Sequence, residues 1–256
     1  MKYSIDQNVK FWGNTVTIKD FDEGKNEYYC CFSPYLSVWL KEQWLVGYNN
    51  DSAWGSERSL LVIDDFYKDP DTVREIALNQ EYESNIAHYK GLRTRERFLW
   101  PYLKEQFETL LQKRITDWLL QPANGCFQKT ESLDPLVWHS DTQDYAAAVY
   151  LTPEAPVSAG TSFWRDKKHL CRRPPFNSYE AKKFGDLNEA QNAYSEIYSK
   201  FNIVNPDNWE LVDRIGCIYN RLVIWDAQLI HSASSYEGMS VLNPRLVQLF
   251  FFSVEK

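Results

Sequence analysis

The spacing of apolar residues changes character several times along this chain. Tyr145-Ala-Ala-Ala-Val-Tyr150-Leu151 is a short apolar run and reads as a buried strand. Gly160-Thr-Ser-Phe-Trp164 reads as a second strand. Leu246 to Val254 is nearly continuous in apolar residues, which predicts a central strand buried on both faces. Ser59 to Ile63 and Cys126 to Gln128 are shorter strand candidates. Cys217 to Tyr219 and Leu222 to Trp225, with Asn220-Arg221 as a turn between them, read as a hairpin. Helical spacing appears in three places. Asp69 is a candidate N-cap with Pro70 at the first helical position, and Val73, Ile76 and Ala77 carry the stripe to Gln80. A second helix opens at Pro101 and follows Leu103, Phe107, Leu110, Leu111, Ile115, Trp118 and Leu119 until Pro122 closes it. A third spans Asp186 to Phe201, with Ala190, Ala193, Ile197 and Phe201 on one side.

Residues 1–58 carry aromatic and alternating patches, with turns at Glu23–Asn26 and Tyr48–Asp51 and strand-like character from Tyr28 to Val38. We expect this segment to be an N-terminal extension packed on the core. Residues 59–256 then form one domain, mostly β with flanking α-helices: a double-stranded β-helix, or cupin-like jelly roll. The block at about 165–216 is expected to be an insertion near the mouth of a site.

Composition narrows the class. The chain has 256 residues, ample for one sizeable core, and 16% aromatics including 10 Trp, which marks a globular protein. No charge-free apolar run approaches membrane-spanning length, and the N-terminus has no apolar signal core, so no membrane association is expected. Five cysteines (Cys30, Cys31, Cys126, Cys171, Cys217) are odd in number and irregularly spaced, as in a cytoplasmic protein with reduced thiols. A net charge of −7 argues against a nucleic-acid partner.

Candidate chemistry centres on Trp138-His139-Ser140-Asp141. On an extended strand, residues i and i+2 share a face, so His139 and Asp141 converge. A further histidine, His231, ends the run from Arg221, and Arg245 opens the last strand. Two histidines and one carboxylate form a facial triad that leaves iron positions open for other ligands. A strand-end histidine alone is usually structural, and the upstream His-x-Asp is what raises His231 to a ligand candidate. Arg245 precedes residues too apolar for water, and no acid lies within four positions of it. Its guanidinium suits a carboxylate ligand.

The order His-x-Asp, distal His and downstream Arg, each on a strand-like run, resembles the iron(II)/2-oxoglutarate-dependent dioxygenases. Val62-Ile-Asp-Asp-Phe66 with Asp69-Pro-Asp71, Tyr89 to Arg93, Tyr145 to Trp164, Asn220 to His231 and Arg245 to Phe252 are similar to the prolyl-hydroxylase-like branch, and closest to a bacterial and phage family of unassigned substrate. The resemblance implies Fe(II) and 2-oxoglutarate as cofactors and O2 as a reactant. The implied reaction is hydroxylation of an aliphatic carbon in an amino acid, peptide or small molecule, with release of succinate and CO2. It implies that Tyr150, in a Tyr-Leu-Thr run where relatives have Tyr-Leu-Asn, hydrogen-bonds the far carboxylate of 2-oxoglutarate, and that Thr161 touches the same cosubstrate. A core tyrosine and a core threonine are the plain structural alternatives. Trp138, Trp164 and His169 are candidate substrate contacts, with wall or core the alternative for the tryptophans and the surface for His169. Because Asp141 fills the position that related halogenases leave empty, hydroxylation is expected over chlorination. The rival classes are a non-enzymatic metal-binding jelly roll and a cupin-like oxygen-using enzyme. Neither needs an anion anchor such as Arg245.

Overall fold

A computed structural model of the chain describes residues 4–11, 14–25, 27–33, 36–41, 46–47, 59–84, 91–177 and 180–255. The chain splits into two compact units, Met1–Glu57 and Arg58–Lys256. In the first, strands β1 (Asn8–Phe11), β2 (Asn14–Asp22), β3 (Glu27–Ser33), β4 (Leu36–Lys41) and β5 (Val46–Gly47) form an antiparallel sheet in the order β4-β3-β2-β1-β5. The expected strand Tyr28 to Val38 divides into β3 and β4, which pair with each other. Asp22 accepts the Lys25 amide at 3.1 Å in the first expected turn, and Ile18, Tyr28 and Cys30 are buried. The second expected turn, Tyr48–Asp51, lies outside the described residues.

The second unit is mostly β, with antiparallel strands and three α-helices among the described residues. Its elements in order are β6 (Leu60–Ile63), α1 (Pro70–Leu78), β7 (Tyr82–Ser84), β8 (Leu92–Thr94), α2 (Pro101–Leu111), β9 (Phe127–Thr130), β10 (Tyr145–Tyr150), β11 (Thr161–Asp166), α3 (Leu187–Ile197), β12 (Trp209–Ile215), β13 (Leu222–Asp226), β14 (His231–Ala233) and β15 (Arg245–Phe252). One sheet has seven strands in the order β6-β13-β10-β15-β9-β8-β7, and the other has three, β12-β11-β14.

The two-residue period of the strands divides the core. On the outer face of the large sheet, Tyr145, Ala147 and Val149 of β10, Leu222 and Ile224 of β13 and Leu246, Phe250 and Phe252 of β15 join Val73 and Ala77 of α1 and Leu103, Phe107 and Leu111 of α2. Rings pack there at centroid distances of 4.9 Å for Phe107–Phe250 and 5.9 Å for Trp118–Phe250. Each such aromatic contributes about 1.5–3 kcal/mol by leaving water. The intervening residues, Ala146, Ala148, Tyr150, Val223, Trp225 and Val247, face inward and share one apolar cluster with Phe163 of the small sheet. The two sheets therefore pack face to face over an interior lined by alternate residues of the same strands.

Local signals explain the helices. Asp69 caps α1, accepting from the Thr72 amide at 3.1 Å and its hydroxyl at 2.8 Å. Asp186 caps α3 by accepting the Glu189 amide at 2.9 Å. Helix α2 stops at Leu111, short of the expected Pro122, because Gln112 turns left-handed at φ 55°. The apolar stripe continues past this point because Ile115 and Trp118 reach the same core from irregular backbone, Ile115 bridging to Val254 and donating its amide to Glu108 at 2.8 Å.

Three expectations are revised. Cys217 to Tyr219 is not the partner of Leu222 to Trp225: it connects the two sheets, and β13 pairs instead with β10 and β6. Residues 209–215, expected within the insertion, form β12 and pair with β11, so the insertion between strands is residues 167–208. Phe201 is 85% exposed and does not share the buried side of α3 with Ala190, Ala193 and Ile197.

Candidate metal centre

His139 and His231 come together across a single antiparallel bridge at the edge of the small sheet. His139 donates its amide to the His231 carbonyl at 3.1 Å, and His231 returns a bond at 2.8 Å. The imidazole centroids stand 4.4 Å apart. Asp141, two residues beyond His139, is held by its amide on the Ala227 carbonyl at 2.8 Å. Its carboxylate lies 3.4 Å from His231 Nε2 and 3.9 Å from His139 Nε2. One ligand atom from each of the three lies within 4.8 Å of the others.

The surroundings prepare both imidazoles. Nδ1 of His139 meets the Val137 carbonyl at 3.1 Å, and Nδ1 of His231 meets the Leu229 carbonyl at 2.8 Å. A carbonyl only accepts, so each ring carries its proton on Nδ1 and presents the Nε2 lone pair toward Asp141. Burial first, and then the neighbouring His139, push the His231 pKa down to about 4, against the pull of Asp141. A neutral imidazole is the form that binds a metal. Asp141 Oδ2 is buried and has no hydrogen-bond partner among the described residues. A buried carboxylate oxygen without a donor is costly, and a cation between it and the two Nε2 atoms satisfies all three. The donor set, two nitrogens and one carboxylate, fits iron(II).

A second group lies within the sandwich. Arg245 is 5% exposed and donates through Nε to the Ala159 carbonyl at 2.5 Å and through Nη2 to the Gly160 carbonyl at 3.2 Å. No ion pair to Arg245 forms among the described residues. Gly160 is required here, since a Cβ would stand 1.8 Å from the Ile215 carbonyl oxygen. The Arg245 guanidinium lies 5.4 Å from the Tyr150 ring centre, and the Tyr150 hydroxyl donates to Thr161 Oγ1 at 2.8 Å. Burial pushes the Tyr150 pKa up to about 12 despite the nearby positive charge, so the phenol keeps its proton. Arg245, Tyr150 and Thr161 thus come together.

The three candidate substrate contacts stand apart from this group. Trp138 is buried against Trp164 at 5.6 Å and Trp209 at 6.4 Å, in a cluster with Ile197 and Ile230. Trp164 is partly buried and donates to the Ser232 hydroxyl at 3.0 Å. His169 faces Glu196 of α3 at 3.2 Å and is drawn to that helix.

Sequence reasoning did not single out Trp225, Tyr236 or Asp226, and read Arg173 only within the basic Lys167–Arg173 cluster, as a solvated face or an acidic-substrate site. Trp225 meets the His231 ring edge-on at 5.1 Å, belongs to the same apolar cluster as Tyr150, and has a buried indole N–H without a partner among the described residues. The strand period would have placed it inward beside Val223. Burial raises the Tyr236 phenol, with the Arg245 charge acting the other way. Arg173 and Asp226 form an ion pair at 2.7 Å between residues 53 apart, which no local pattern announces.

A mostly β unit carrying a convergent two-histidine, one-carboxylate group defines a candidate mononuclear metal protein. Residues 49–241 match a family described as one of unknown function, DUF6445, and the chain belongs to that family. No curated protein matches the chain. Solved structures similar to it include HygX from Streptomyces hygroscopicus with nickel, 2-oxoglutarate and hygromycin B bound, at 12% identity and a TM-score of 0.47, covering 77% of this chain and 83% of that one. HygX with nickel and 2-oxoglutarate matches at 15% identity and 0.38, with the same coverage. The Fe(II)/α-ketoglutarate-dependent dioxygenase TqaL matches at 13% identity and 0.33, covering 78% of this chain and 84% of that one. Among the described residues, no helix is long and apolar enough to cross a membrane.

Proposed function

We propose that the chain is an iron(II)- and 2-oxoglutarate-dependent dioxygenase of the prolyl-hydroxylase-like kind, built on a double-stranded β-helix. The observation that carries this reading is the buried carboxylate oxygen of Asp141, without a hydrogen-bond partner among the described residues, facing two imidazoles whose protons are fixed on the opposite nitrogen. His139 Nε2, Asp141 and His231 Nε2 would hold the iron. When bound, that iron supplies the redox chemistry that couples oxygen and 2-oxoglutarate to substrate oxidation.

The protein's own residues do the positioning. Arg245, buried with two carbonyls and, among the described residues, no carboxylate, is the anchor for the distal carboxylate of 2-oxoglutarate, where a charge-assisted fork replaces lost hydration. Tyr150 keeps its proton, and with 2-oxoglutarate bound its hydroxyl would turn from Thr161 Oγ1 to donate to the same carboxylate. Thr161 orients that hydroxyl. Trp225 and the inward alanines Ala146 and Ala148 line the interior, keeping water from the reacting atoms. Asp141 occupies the position a halide would need, so the product is an alcohol on an aliphatic carbon of an amino acid, peptide or small molecule. Trp138, Trp164 and His169 belong to the side from which substrate approaches.

Anaerobic titration with iron(II), followed by an oxygen-uptake assay reporting succinate, tests this reading. Wild type should bind one iron(II), and the His139→Ala, Asp141→Ala and His231→Ala variants should lose most of that affinity. Succinate should form only with iron and 2-oxoglutarate together. Equal binding by all three variants would reject the site, and a chlorinated product in chloride buffer would reject the reaction class.

A further inference from the structure

The segment Asp226–Ile230 joins β13 to β14 and touches two of the three candidate ligands. Its Ala227 carbonyl holds the Asp141 amide at 2.8 Å, and its Leu229 carbonyl fixes the His231 imidazole at 2.8 Å. The turn is closed from within: Asp226 accepts the Gln228 amide on Oδ1 at 3.0 Å, and its carbonyl accepts the Leu229 amide at 2.9 Å. It is also held from outside by one short stretch of the insertion. Arg173 Nε reaches Asp226 Oδ2 at 2.7 Å, Asn177 Nδ2 reaches Gln228 Oε1 at 2.5 Å, and the Arg172 carbonyl accepts the Ile230 amide at 2.7 Å. The Arg173 and Asp226 side chains are 12% and 25% exposed, so water screens this pair less than the surface pairs of the chain.

We propose that Arg173 and Asp226 are positioning residues for the metal centre, and that through them residues 172–177 of the insertion set the geometry of Asp141 and His231. This rests on the reading of His139, Asp141 and His231 as metal ligands, and it assigns the insertion a part in positioning them. Asp226 splits its carboxylate: one oxygen shapes the turn and the other takes the guanidinium. The pair therefore fixes where the Ala227 and Leu229 carbonyls point. Those carbonyls in turn set the backbone of Asp141 and the ring plane of His231. Partners that orient metal ligands typically govern affinity by tenfold to a hundredfold when removed.

The test uses the full chain and two variants. Asp226→Asn keeps the oxygen that closes the turn and removes the charge, and Arg173→Met keeps the aliphatic stem and removes the fork. Iron(II) affinity is measured anaerobically, well below the melting temperature of each apoprotein, beside wild type and His139→Ala. The visible spectrum of the cobalt(II)-loaded proteins reports ligand geometry. Each variant should bind iron(II) about tenfold more weakly than wild type and shift the cobalt bands. The double variant should be weaker by less than the sum of the two single effects, since both variants break the Arg173–Asp226 pair. Arg173→Lys should recover part of the affinity. Wild-type iron affinity and an unshifted cobalt spectrum in both variants, even with a lowered melting temperature, would overturn the proposal and leave the pair a purely structural one. If wild type binds no more iron(II) than His139→Ala, the ligand assignment itself fails, and the proposal with it.

Discussion

The two faces of the large sheet are built from the same strands and do opposite things. The outer face is closed by large side chains: Phe107, Trp118, Phe250 and Phe252 fill it with rings, and the helices α1 and α2 seal it. The inner face carries Ala146 and Ala148 where the outer face has Tyr145 and Val149, and it admits a buried guanidinium, a phenol and an indole N–H, the last without a partner among the described residues. The outer face is closed mainly by packing, and its buried Gln248 is paired within the protein, accepting from the Tyr67 hydroxyl at 2.5 Å and donating to the Phe98 carbonyl at 3.0 Å. The other holds the Trp225 indole N–H, which has no partner among the described residues, and a guanidinium bonded to two carbonyls, as the proposed cosubstrate site requires. A one-residue slip of register would exchange the two faces, so the packing of the outer face is also what aims the inner one.

Substitutions on the two faces should therefore separate stability from binding. The largest effect belongs to the outer face. Phe250→Ala should cost about 3–5 kcal/mol of stability, measured by denaturant unfolding, while the folded fraction keeps its iron(II) affinity. On the inner face, Arg245→Ala removes the proposed anchor, worth about 2–4 kcal/mol, so 2-oxoglutarate affinity should fall by roughly 30-fold to 1000-fold with iron binding little changed. Arg245→Lys, which keeps charge and loses the fork, should fall between the two. Ala148→Leu adds volume to an interior where Ala148 is 2% exposed, and it should cost about 1–3 kcal/mol in stability and weaken 2-oxoglutarate by at least tenfold. At its outer-face neighbour, Val149→Ile should cost stability while leaving 2-oxoglutarate affinity within about twofold of wild type. The smallest effect is Tyr150→Phe, which loses one hydroxyl bond to Thr161 and should weaken 2-oxoglutarate by about twofold to tenfold, read from the same anaerobic titration.

Much of this division was legible in the amino-acid order, for reasons that are local. The run Tyr145 to Leu151 and the apolar last strand mark the centre of the large sheet, and they lie side by side in it. Asp69 and Pro70 announce α1, and His139-x-Asp141 brings an imidazole and a carboxylate to one point. What was not legible depends on distance or on a broken rule. The stripe through Ile115 and Trp118 keeps helical spacing after α2 has ended, because both residues are buried from irregular backbone. Strand β12 hides in a polar, largely exposed stretch at a sheet edge, so its pattern does not read as a core strand. The Arg173–Asp226 pair joins residues that only the fold brings together.

The most direct measurement is the visible absorption of the anaerobic protein on addition of iron(II) and then 2-oxoglutarate. On the proposed reading, the band that arises with this cosubstrate requires two groups together: the proposed ligands His139, Asp141 and His231 at the edge of the small sheet, and the proposed anchor Arg245 on the inner face of the large one. Wild type should develop the band and saturate. Asp141→Ala should show no band at any 2-oxoglutarate concentration, Arg245→Ala should reach it only at far higher concentration, and Phe250→Ala, once folded, should titrate like wild type. A wild-type protein that binds iron(II) but develops no band, or an Arg245→Ala variant that titrates like wild type, would contradict the account.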